Sequence, residues 1–268
     1  MSKNVLVTGS SRGIGAAIAL AFAAQGDNVG INYRYDREGA EEVCEQIRKL
    51  GVKAEIYQAN VGDRADVERM FEAYFKDFGT IDVLVNNAGG AMKIPDGRFE
   101  DMPLDYWDDV LALNLSAAAY CSSHAVKNMV ENHIRGAIIN ISSVHSFVTY
   151  VKRKTFPYCA AKAGLNMLTK TMGCDVIRHG IRVNAIAPGF ISTKLTTRYT
   201  QEEIEAFRRK IPAGRLGCVD DIAPLALFLA DETKSGFIIG HTIAVDGGQS
   251  VDGIIDYMMQ EELKEMGN

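Results

Sequence analysis

Apolar and polar positions follow two distinct rhythms along this chain. Short, mostly apolar runs, typical of buried strands, recur between longer stretches whose apolar residues repeat as on one face of a helix. The predicted strands cover residues 5–8, 28–33, 54–59, 81–85, 138–144 and 182–186. The predicted helices include residues 38–50, 64–78 and 158–179. This alternation predicts an α/β protein with a parallel, doubly wound sheet between two helical layers, and ligands at the carboxyl ends of the strands.

Length and composition favour one large domain. The chain has 268 residues, of which 47% are hydrophobic and 24% are charged, as is ordinary for a globular protein. No linker, repeat or low-complexity tract interrupts the alternation of elements. Residues 1–250 are therefore predicted to form one three-layer α/β/α domain, and residues 251–268 a helical tail that packs on its own or a neighbouring subunit.

Charge, cysteine content and the absence of long apolar runs exclude several classes of protein. A net charge of −5 argues against a general nucleic-acid binder, because nothing attracts the phosphate backbone globally. The five cysteines are scattered and form no CxxC pair, which favours reduced thiols over a disulfide framework or a metal site. Neither a signal peptide nor an apolar run of membrane-spanning length is visible. We therefore expect a cytoplasmic protein without a metal, nucleic-acid or membrane partner.

A glycine-rich turn follows the first predicted strand. Gly9, Gly13 and Gly15 have the spacing G-x-x-x-G-x-G and lead into an alanine-rich helix that runs to about Gln25. Strand, glycine turn and helix in this order point backbone N–H groups at a phosphate. A purely structural tight turn is the alternative, but the place after the first strand favours cofactor binding.

The end of the second strand indicates which dinucleotide binds. An acidic residue at this place accepts a hydrogen bond from the 2′-hydroxyl of NAD, whereas an arginine accommodates the 2′-phosphate of NADP. Arg34 follows the strand, and Arg12 can approach it from the glycine turn. Asp36 lies further into the loop, where we expect a solvated turn or cap residue. The sequence therefore favours NADP(H) over NAD(H).

Tyr158 and Lys162 are the first candidates for catalysis. They lie one turn apart on the same face of the predicted helix 158–179, which Gly180 closes. An ammonium group near a phenol favours the phenolate, so Lys162 is predicted to lower the Tyr158 pKa toward the range useful for acid/base catalysis. Tyr-x-x-x-Lys alone is a common accident, and its meaning depends on the rest of the chain.

Several motifs in a fixed order resemble those of a known family. They are Thr8, Gly9, Gly13 and Gly15, the run Asn86-Asn87-Ala88-Gly89, Asn114, Ser143, Tyr158 and Lys162, Pro188-Gly189, and the stretch 240–248. In this order and at nearly this spacing they resemble the short-chain dehydrogenases/reductases, over residues 3–250. Within that family the chain looks most like 3-oxoacyl-carrier-protein reductases and bacterial glucose dehydrogenases, the latter especially over residues 139–145. The resemblance implies a Rossmann-like fold and hydride transfer between NAD(P)(H) and a small carbonyl or alcohol substrate.

The resemblance also implies a role for each residue of the catalytic set. Tyr158 gives its proton to a carbonyl oxygen, and Ser143 hydrogen-bonds the same oxygen. Lys162 lowers the Tyr158 pKa and holds the ribose hydroxyls, and Asn114 positions a water that links Lys162 to solvent. Taken singly, Asn114 could be an ordinary helix residue and Ser143 a turn former. Ser142 is the weaker candidate, because the family's catalytic serine usually fills the second place of such a pair.

The cofactor set implied by the resemblance lies along the strand ends. It comprises Gly9, Ser11, Arg12, Gly13, Ile14, Gly15, Arg34, Asn60, Val61, Asn87, Ala88, Gly89, Tyr158, Lys162, Pro188, Gly189, Ile191 and Thr193. By the same resemblance, the backbone of Ile191 and the Thr193 side chain contact the nicotinamide end. Asn87 has the alternative role of merely tying strands together. Residues 190–211 are expected to form a mobile substrate lid, with an ordinary surface helix as the alternative.

The chain also departs from the family pattern. Ser143 and Tyr158 lie 15 positions apart (158 − 143), a longer separation than is usual in the family, and the extra loop carries the cations of 152–154. A second long loop, 91–98, follows Gly89. Both are expected to border the substrate mouth, although an ordinary solvated basic loop is the slightly better explanation for Arg153 and Lys154.

Two further positions bear on the substrate. Acyl-carrier reductases of the family typically offer arginines to an acidic carrier, but Ile134 and His179 stand at the corresponding places, with Arg135 and Arg178 beside them. This reduces the support for a carrier-protein substrate. His145 resembles the glucose dehydrogenase pattern, whereas a lone loop histidine is more often structural.

Taken together, the sequence predicts an NADP(H)-dependent oxidoreductase that interconverts a ketone and a secondary alcohol. A glucose-type sugar dehydrogenase and a 3-oxoacyl thioester reductase are alternatives. A catalytically silent nucleotide-binding scaffold is the rival from another class, because fold does not fix function. Related enzymes assemble mostly as tetramers. In the tail, an apolar stripe must be buried against something, and it comprises Ile255, Met259, Leu263 and Met266. A homotetramer is therefore predicted.

Overall fold

Seven parallel strands form the centre of the computed structural model, which describes residues 2–90, 99–149, 155–193 and 199–251. They are β1 Asn4–Val7, β2 Asn28–Tyr33, β3 Ala54–Gln58, β4 Val83–Asn86, β5 Ala137–Ile141, β6 Arg182–Pro188 and β7 Thr242–Val245. They lie in the order β3-β2-β1-β4-β5-β6-β7, and every neighbouring pair is parallel. The predicted doubly wound, parallel sheet is confirmed.

Four of the predicted segments fall wholly or partly outside these residues. They are the loop 91–98 after Gly89, the basic loop with its cations at 152–154, residues 194–198 of the predicted lid, and the tail from residue 252 onward.

Nine α-helices accompany the strands in the described part of the chain. They are α1 Gly13–Ala24, α2 Arg37–Lys49, α3 Arg64–Phe78, α4 Leu104–Leu111, α5 Ala117–Glu131, α6 Phe156–Val176, α7 Gln201–Arg209, α8 Ala223–Ala230 and α9 Glu232–Ser235. A π-helical segment, Ala112–Ser116, joins α4 to α5. No described helix combines the length and apolar character that crossing a bilayer requires.

An apolar core lies on each face of the sheet. The core under α1 and α8 contains the buried side chains of Phe22 and Leu229. The core under α3, α5 and α6 contains those of Phe71, Met129 and Val176. Helices on both faces of one sheet give the three-layer, Rossmann-like architecture.

Two element ends differ from prediction in ways that affect the site. Strand β5 stops at Ile141 rather than at residue 144, so Ser142 and Ser143 lie just beyond the sheet. Helix α6 starts at Phe156, before Tyr158, and a short 3₁₀ turn carries the chain from Val176 to Gly180. Gly180 has a φ of 76°, which confirms the predicted glycine cap.

The sheet changes direction of winding between β1 and β4. Strand β2 lies on one side of β1, and β4 lies on the other. The connections that leave β1 and β4 therefore turn to opposite faces of the sheet and leave a crevice at their carboxyl ends. The glycine turn after β1 and the run Asn86–Gly89 after β4 border this crevice.

Candidate active site

The glycine turn after β1 is shaped by close packing against the segment after β4. Gly9 has a φ of 62°, and a Cβ atom there would lie 2.8 Å from the Ala88 Cα atom. A Cβ atom at Gly15 would lie 2.4 Å from the Asn87 Nδ2 atom. Only glycine fits these two places without displacing the backbone. The turn and the start of α1 can therefore lie directly on the end of β4.

Hydrogen bonds hold the two segments together. The Thr8 hydroxyl accepts from the backbone N–H groups of Asn87 and Ala88, both at 3.0 Å. The Asn87 side-chain amide donates to the carbonyls of Thr8 and Gly9, both at 2.9 Å. The structural role considered for Asn87 is thus real, and its side chain is engaged with the glycine turn.

Asn32 supports the same turn and was not predicted from the sequence. Its side chain is buried and accepts from the Gly9 N–H at 3.0 Å. Its amide donates to the carbonyls of Tyr57 and Ala59, each at 3.2 Å. A polar amide one residue before the end of a mostly apolar strand was the available signal, because buried polar groups require partners.

Three more of the predicted cofactor residues, Ile14, Asn60 and Val61, lie at the same carboxyl edge of the sheet. Ile14 packs partly buried against the core under α1. The Asn60 side-chain oxygen accepts from the Gly62 N–H at 3.2 Å. The backbone N–H of Asn60 donates to the Asp66 carboxylate. Val61 is buried beside it. The structure thus brings the ends of β1, β3 and β4 together around one crevice.

Cations and an acid gather where β2 ends. The Arg34 guanidinium lies over the Tyr35 ring, 4.6 Å from its centroid. The Arg12 Nη1 atom lies 3.5 Å from the Asp36 Oδ2 atom. Asp36 caps α2 by accepting from the Gly39 N–H at 3.2 Å, so its predicted role as a cap residue is confirmed. Its ion pair with Arg12 was not predicted.

The end of β6 completes the crevice on the far side. The backbone N–H of Gly189 donates to the Val245 carbonyl at 3.0 Å, and Pro188 is the last residue of the strand. Ile191 pairs with Gly217 in an isolated parallel bridge. These contacts hold the backbone of the predicted nicotinamide-contacting segment against β7 and the loop before α8.

The Lys162 ammonium lies deep inside the protein. Its side chain is 3% exposed, and its Nζ atom donates to the Ile141 carbonyl at 2.8 Å. The same atom is 5.7 Å from the centroid of the Tyr158 ring. Burial lowers the pKa of Lys162 to about 8, because the charged form loses hydration.

The predicted lowering of the Tyr158 pKa is not what the structure shows. Burial raises the pKa of the Tyr158 hydroxyl, and the hydrogen bond with Ser143 opposes that shift. The prediction assumed a fully charged Lys162 beside the phenol. Burial disfavours the charged form of both groups, so the ammonium is a weaker source of stabilisation than the i, i+4 spacing suggested.

The two serines after β5 have different surroundings. The Ser142 hydroxyl donates to the Asn166 Oδ1 atom at 2.6 Å, inside the protein. The Ser143 hydroxyl hydrogen-bonds the Tyr158 hydroxyl. It also accepts from the backbone N–H of His145 at 3.2 Å. The His145 ring meets the Tyr158 ring edge-on, with centroids 5.6 Å apart. Ser143 is thus the hydroxyl placed beside the phenol.

Asn114 lies in the π-helical segment and reaches the end of β4. Its side chain is buried, accepts from the Gly90 N–H at 2.9 Å and donates to the Gly90 carbonyl at 3.1 Å. A Cβ atom at Gly89 would lie 2.7 Å from the Asn114 Oδ1 atom and 3.3 Å from the Lys162 Nζ atom. Gly89 therefore allows the amide and the ammonium to approach each other.

A cavity of about 10 Å³ lies beside these groups, and Asn86, Asn114, Val61 and Lys162 line part of it. That volume is close to the minimum that one water needs, and Thr8, Asn86, Asn114 and Lys162 are the polar residues in an otherwise mostly apolar lining. The predicted link from Lys162 to a water near Asn114 remains a prediction.

The crevice fits a dinucleotide cofactor. Gly13 has a φ of 61°, and the nearest atom to a Cβ there is the Thr193 methyl carbon at 3.8 Å, so the turn is open on that side. Open glycine backbone at the first turn of α1 can lie close to a pyrophosphate. Lys162 and Tyr158 lie across the crevice, where they would meet the ribose and the reacting carbon. Among the described residues, no group of His, Cys, Asp or Glu side chains is arranged to hold a metal.

Comparison with known proteins decides the family. A family model described as "Enoyl-(Acyl carrier protein) reductase" matches residues 9–250. A short-chain type dehydrogenase/reductase from Mycobacterium marinum superposes with a TM-score of 0.86 at 31% identity, covering 93% of this chain and 96% of that one. This chain belongs to the short-chain dehydrogenase/reductase family. It is an oxidoreductase of that family, which acts on CH–OH or carbonyl groups with a nicotinamide cofactor, and the predicted resemblance is confirmed.

Relatives within the family have several different activities. A 3-oxoacyl-[acyl-carrier-protein] reductase from Staphylococcus aureus is 42% identical over 248 residues, 92% of this chain and 98% of that protein. A 3β-hydroxysteroid dehydrogenase from Eggerthella lenta is 39% identical over 251 residues, 93% and 94% of the two chains. A glucose 1-dehydrogenase from Bacillus subtilis is 36% identical over 252 residues, 93% and 95%. The chain is similarly related to enzymes of three substrate classes, so these relatives do not identify its substrate. Evidence on the substrate must come from the residues of the site.

Proposed function

We propose that this short-chain dehydrogenase/reductase interconverts a ketone and a secondary alcohol with NADP(H). The observation that carries the proposal is the hydrogen-bonded pair of Tyr158 and Ser143 beside the buried Lys162 ammonium. During reduction the carbonyl oxygen of the substrate gains negative charge. The two hydroxyl donors and the nearby cation are suited to stabilise that oxygen.

Each of these residues has a distinct task in the proposed mechanism. NADPH, when bound, supplies the hydride. Tyr158 holds the proton that passes to the carbonyl oxygen, and its raised pKa keeps that proton in place at neutral pH. Ser143 hydrogen-bonds the same oxygen. Lys162 holds the ribose hydroxyls and returns a proton to Tyr158 through the water-sized cavity near Asn114. In the oxidation direction both proton movements reverse.

The preference for NADP(H) is supported by Arg34. Its guanidinium takes part in no ion pair within residues 2–90, 99–149, 155–193 and 199–251. The guanidinium lies over the exposed Tyr35 ring. A planar cation of this kind suits a phosphate monoester better than a hydroxyl.

The site favours one substrate class over another. His145 lies edge-on to Tyr158 beside Ser143, and a polar ring next to the catalytic pair suits a polyhydroxylated substrate, which favours a sugar. A carrier-bound thioester is less favoured, because Arg135 is paired with Glu232 and Arg178 with Asp175. Both arginines are therefore already paired with carboxylates and are poorly suited to bind an acidic carrier.

A substrate screen tests the proposal. Sugars, polyols, keto esters and steroids are each offered with NADP(H) and NAD(H), and the absorbance of the reduced nicotinamide is followed. Tyr158→Phe keeps the ring and removes the proton, so turnover should fall by about 10²–10⁴ while NADPH binding survives. Full turnover by Tyr158→Phe on an accepted substrate would contradict the mechanism.

We further propose that the enzyme is a cytoplasmic homotetramer. Helix α6 exposes Phe156 and Met167, 37% and 58% accessible, on one side, and Phe237 before β7 is fully exposed. Apolar side chains at two separate places support two different subunit contacts, as a tetramer needs. All five cysteines are free thiols, which supports a reducing compartment.

A further inference from the structure

A second and larger cavity, of about 190 Å³, lies between the ends of β6 and β7 and the segment that joins α7 to α8. None of its described lining residues belongs to the glycine turn or to the catalytic set. Apolar side chains form part of its wall, and they are those of Phe190, Ile191, Ala213 and Val245. A concave surface of this kind can bury apolar side chains from another segment.

The chain leaves the described structure beside this cavity. The carbonyl of Gly247, which also lines the cavity, accepts from the Ala213 N–H at 3.0 Å. The Gln249 side chain accepts from the Phe190 N–H at 3.1 Å. Val251, the last described residue, has a side chain that is 83% exposed. The segment that follows therefore starts from a point next to the cavity wall.

Two cations border the same point. Arg209 ends α7 and Lys210 follows it, and both are exposed. Neither forms an ion pair with any residue that the structure describes. The next residue, Ile211, is buried, and a Cβ atom at Gly247 would lie 2.8 Å from its Cγ2 atom. Two uncompensated positive charges thus lie within a few residues of the place where the tail begins.

The tail, residues 252–268, has the composition that complements this surface. It carries five acidic residues and one lysine, a net charge of −4, besides the apolar stripe with Ile255 and Met259. Opposite charges around an apolar contact favour one particular pairing of surfaces. Because the tail is tethered beside the cavity, its effective concentration there is high, and individually weak contacts suffice.

We propose that residues 252–268 bind back onto their own subunit. The apolar stripe covers the cavity beside Phe190 and Ile191, and the acidic residues meet Arg209 and Lys210. The tail's own subunit is the receiving surface because Gly247 and Gln249 already connect the start of the tail to both sides of the cavity. A tail bound in this way ties α7, part of the predicted lid, to the end of β7. The inference involves neither cofactor nor substrate, so it goes beyond the proposed function and does not depend on it.

Trypsin provides the test. Lys264 is the only lysine or arginine after residue 250, so the tail contains a single cleavage site. Its cleavage is followed by intact mass and compared with cleavage of a free peptide of residues 250–268, and the ratio of the two rates is the protection. The protein should be cleaved at least about tenfold more slowly than the peptide, because cleavage requires a released tail. Added salt should lower the protection.

Charge reversal at the end of α7 tests the receiving surface. Arg209→Glu with Lys210→Glu should lower the protection about three- to tenfold, the size expected when two exposed ion pairs are reversed. Lys49→Glu with Lys76→Glu is the matched control, since both are exposed cations in the last turns of α2 and α3. It changes the net charge equally and should leave the protection unchanged.

A substitution in the tail tests the apolar half of the contact. Met259→Ser lies five positions before the cleavage site, and a peptide with the same substitution is its reference. The protection should fall, because a polar side chain gains nothing from burial in the cavity. Unchanged protection in Met259→Ser would contradict burial of the stripe.

Co-expression of two chains shows which subunit the tail binds. One chain carries Arg209→Glu and Lys210→Glu with an intact tail, and the other has an unchanged α7 and ends at Gln249. In a hybrid oligomer the tail finds an unchanged α7 only on the other chain. Binding to its own subunit predicts the low protection of the charge-reversal variant alone.

Three results would overturn the inference. Restored protection in the hybrid would place the tail on the partner subunit. A wild-type protein cleaved as fast as the peptide would show that the tail is not bound. Equal protection in the α7 variant and its control would show that Arg209 and Lys210 do not receive it.

Discussion

Burial of Lys162 disfavours the charged form of its amine. Its pKa falls from an ordinary 10.5 to about 8 on burial. Between those two values the unfolded chain binds a proton that the folded protein does not, so stability rises with pH across this window. Below pH 8 both states are protonated, and the cost of burying the charge is fully present.

Lys162→Met removes that titration. We expect the wild type to gain free energy of unfolding relative to this variant as the pH is raised from 8 toward 10.5. The measurement is urea unfolding of both proteins at a series of pH values, with the difference taken at each pH. Tyr158 is present in both proteins, so its own titration largely cancels. If the difference in free energy of unfolding stayed constant between pH 8 and 10.5, burial of the Lys162 charge would not destabilise the fold.

The contrast between Ser142 and Ser143 gives a second prediction. Ser143→Ala should lower kcat by about 10²–10³, the usual cost of losing one donor to a developing oxyanion. Ser142→Ala leaves the buried Asn166 amide oxygen without its 2.6 Å partner, so it should lower stability by about 1–3 kcal/mol with a much smaller change in kcat. Kinetics and thermal unfolding of both variants decide the matter. The reverse pattern would make Ser142 the catalytic hydroxyl.

At the scale of elements, the π-helical segment between α4 and α5 and the end of β4 act as one unit. The extra residue in the π turn aims Asn114 at Gly90, and Gly89 leaves room for the amide and for Lys162. Such turns inside α-helices are often functional. The precise approach of a helix to a strand end is therefore part of the site.

Gly89→Ala tests this unit. The added methyl would lie 2.7 Å from the Asn114 Oδ1 atom and 3.3 Å from the Lys162 Nζ atom, so both groups must move. We expect kcat to fall by at least about tenfold, because small displacements of positioned groups are costly to catalysis. Gly62→Ala is the control, since its added methyl meets its nearest neighbour at an ordinary 3.4 Å. Equal losses in both variants would point to general destabilisation instead.

How far the sequence predicts the structure differs from element to element. Periodicity and the glycine turn predict the doubly wound sheet, because each strand and helix shows its own local pattern. The support of Gly9 by Asn32 and the pairing of Arg12 with Asp36 join residues more than twenty positions apart. No local pattern encodes such contacts. The direction of the Tyr158 pKa shift depends on how many atoms surround it, which only the fold determines.

At the scale of the whole molecule, the C-terminal tail bears on subunit assembly. We predict that truncation after Gln249 weakens the tetramer or changes KM, because the apolar stripe Ile255, Met259, Leu263 and Met266 needs a partner surface. The Gln249 side chain, which accepts from the Phe190 N–H at 3.1 Å, is kept. Light scattering of both proteins over a dilution series, with parallel kinetics, measures both effects. Equal tetramers with identical KM would leave the tail without either role.

The position of β1 in the middle of the sheet has a consequence for biosynthesis. The Thr8 hydroxyl donates to the Val85 carbonyl and accepts from the N–H groups of Asn87 and Ala88, and all three residues leave the ribosome some eighty residues later. At about 5–20 residues per second, the first strand and its glycine turn wait on the order of 4–16 seconds for the strand that locks them. During that interval the nascent chain exposes an apolar strand edge of the kind that chaperones protect. Slowing translation before residue 88 should therefore increase chaperone dependence more than slowing it after β4 has emerged.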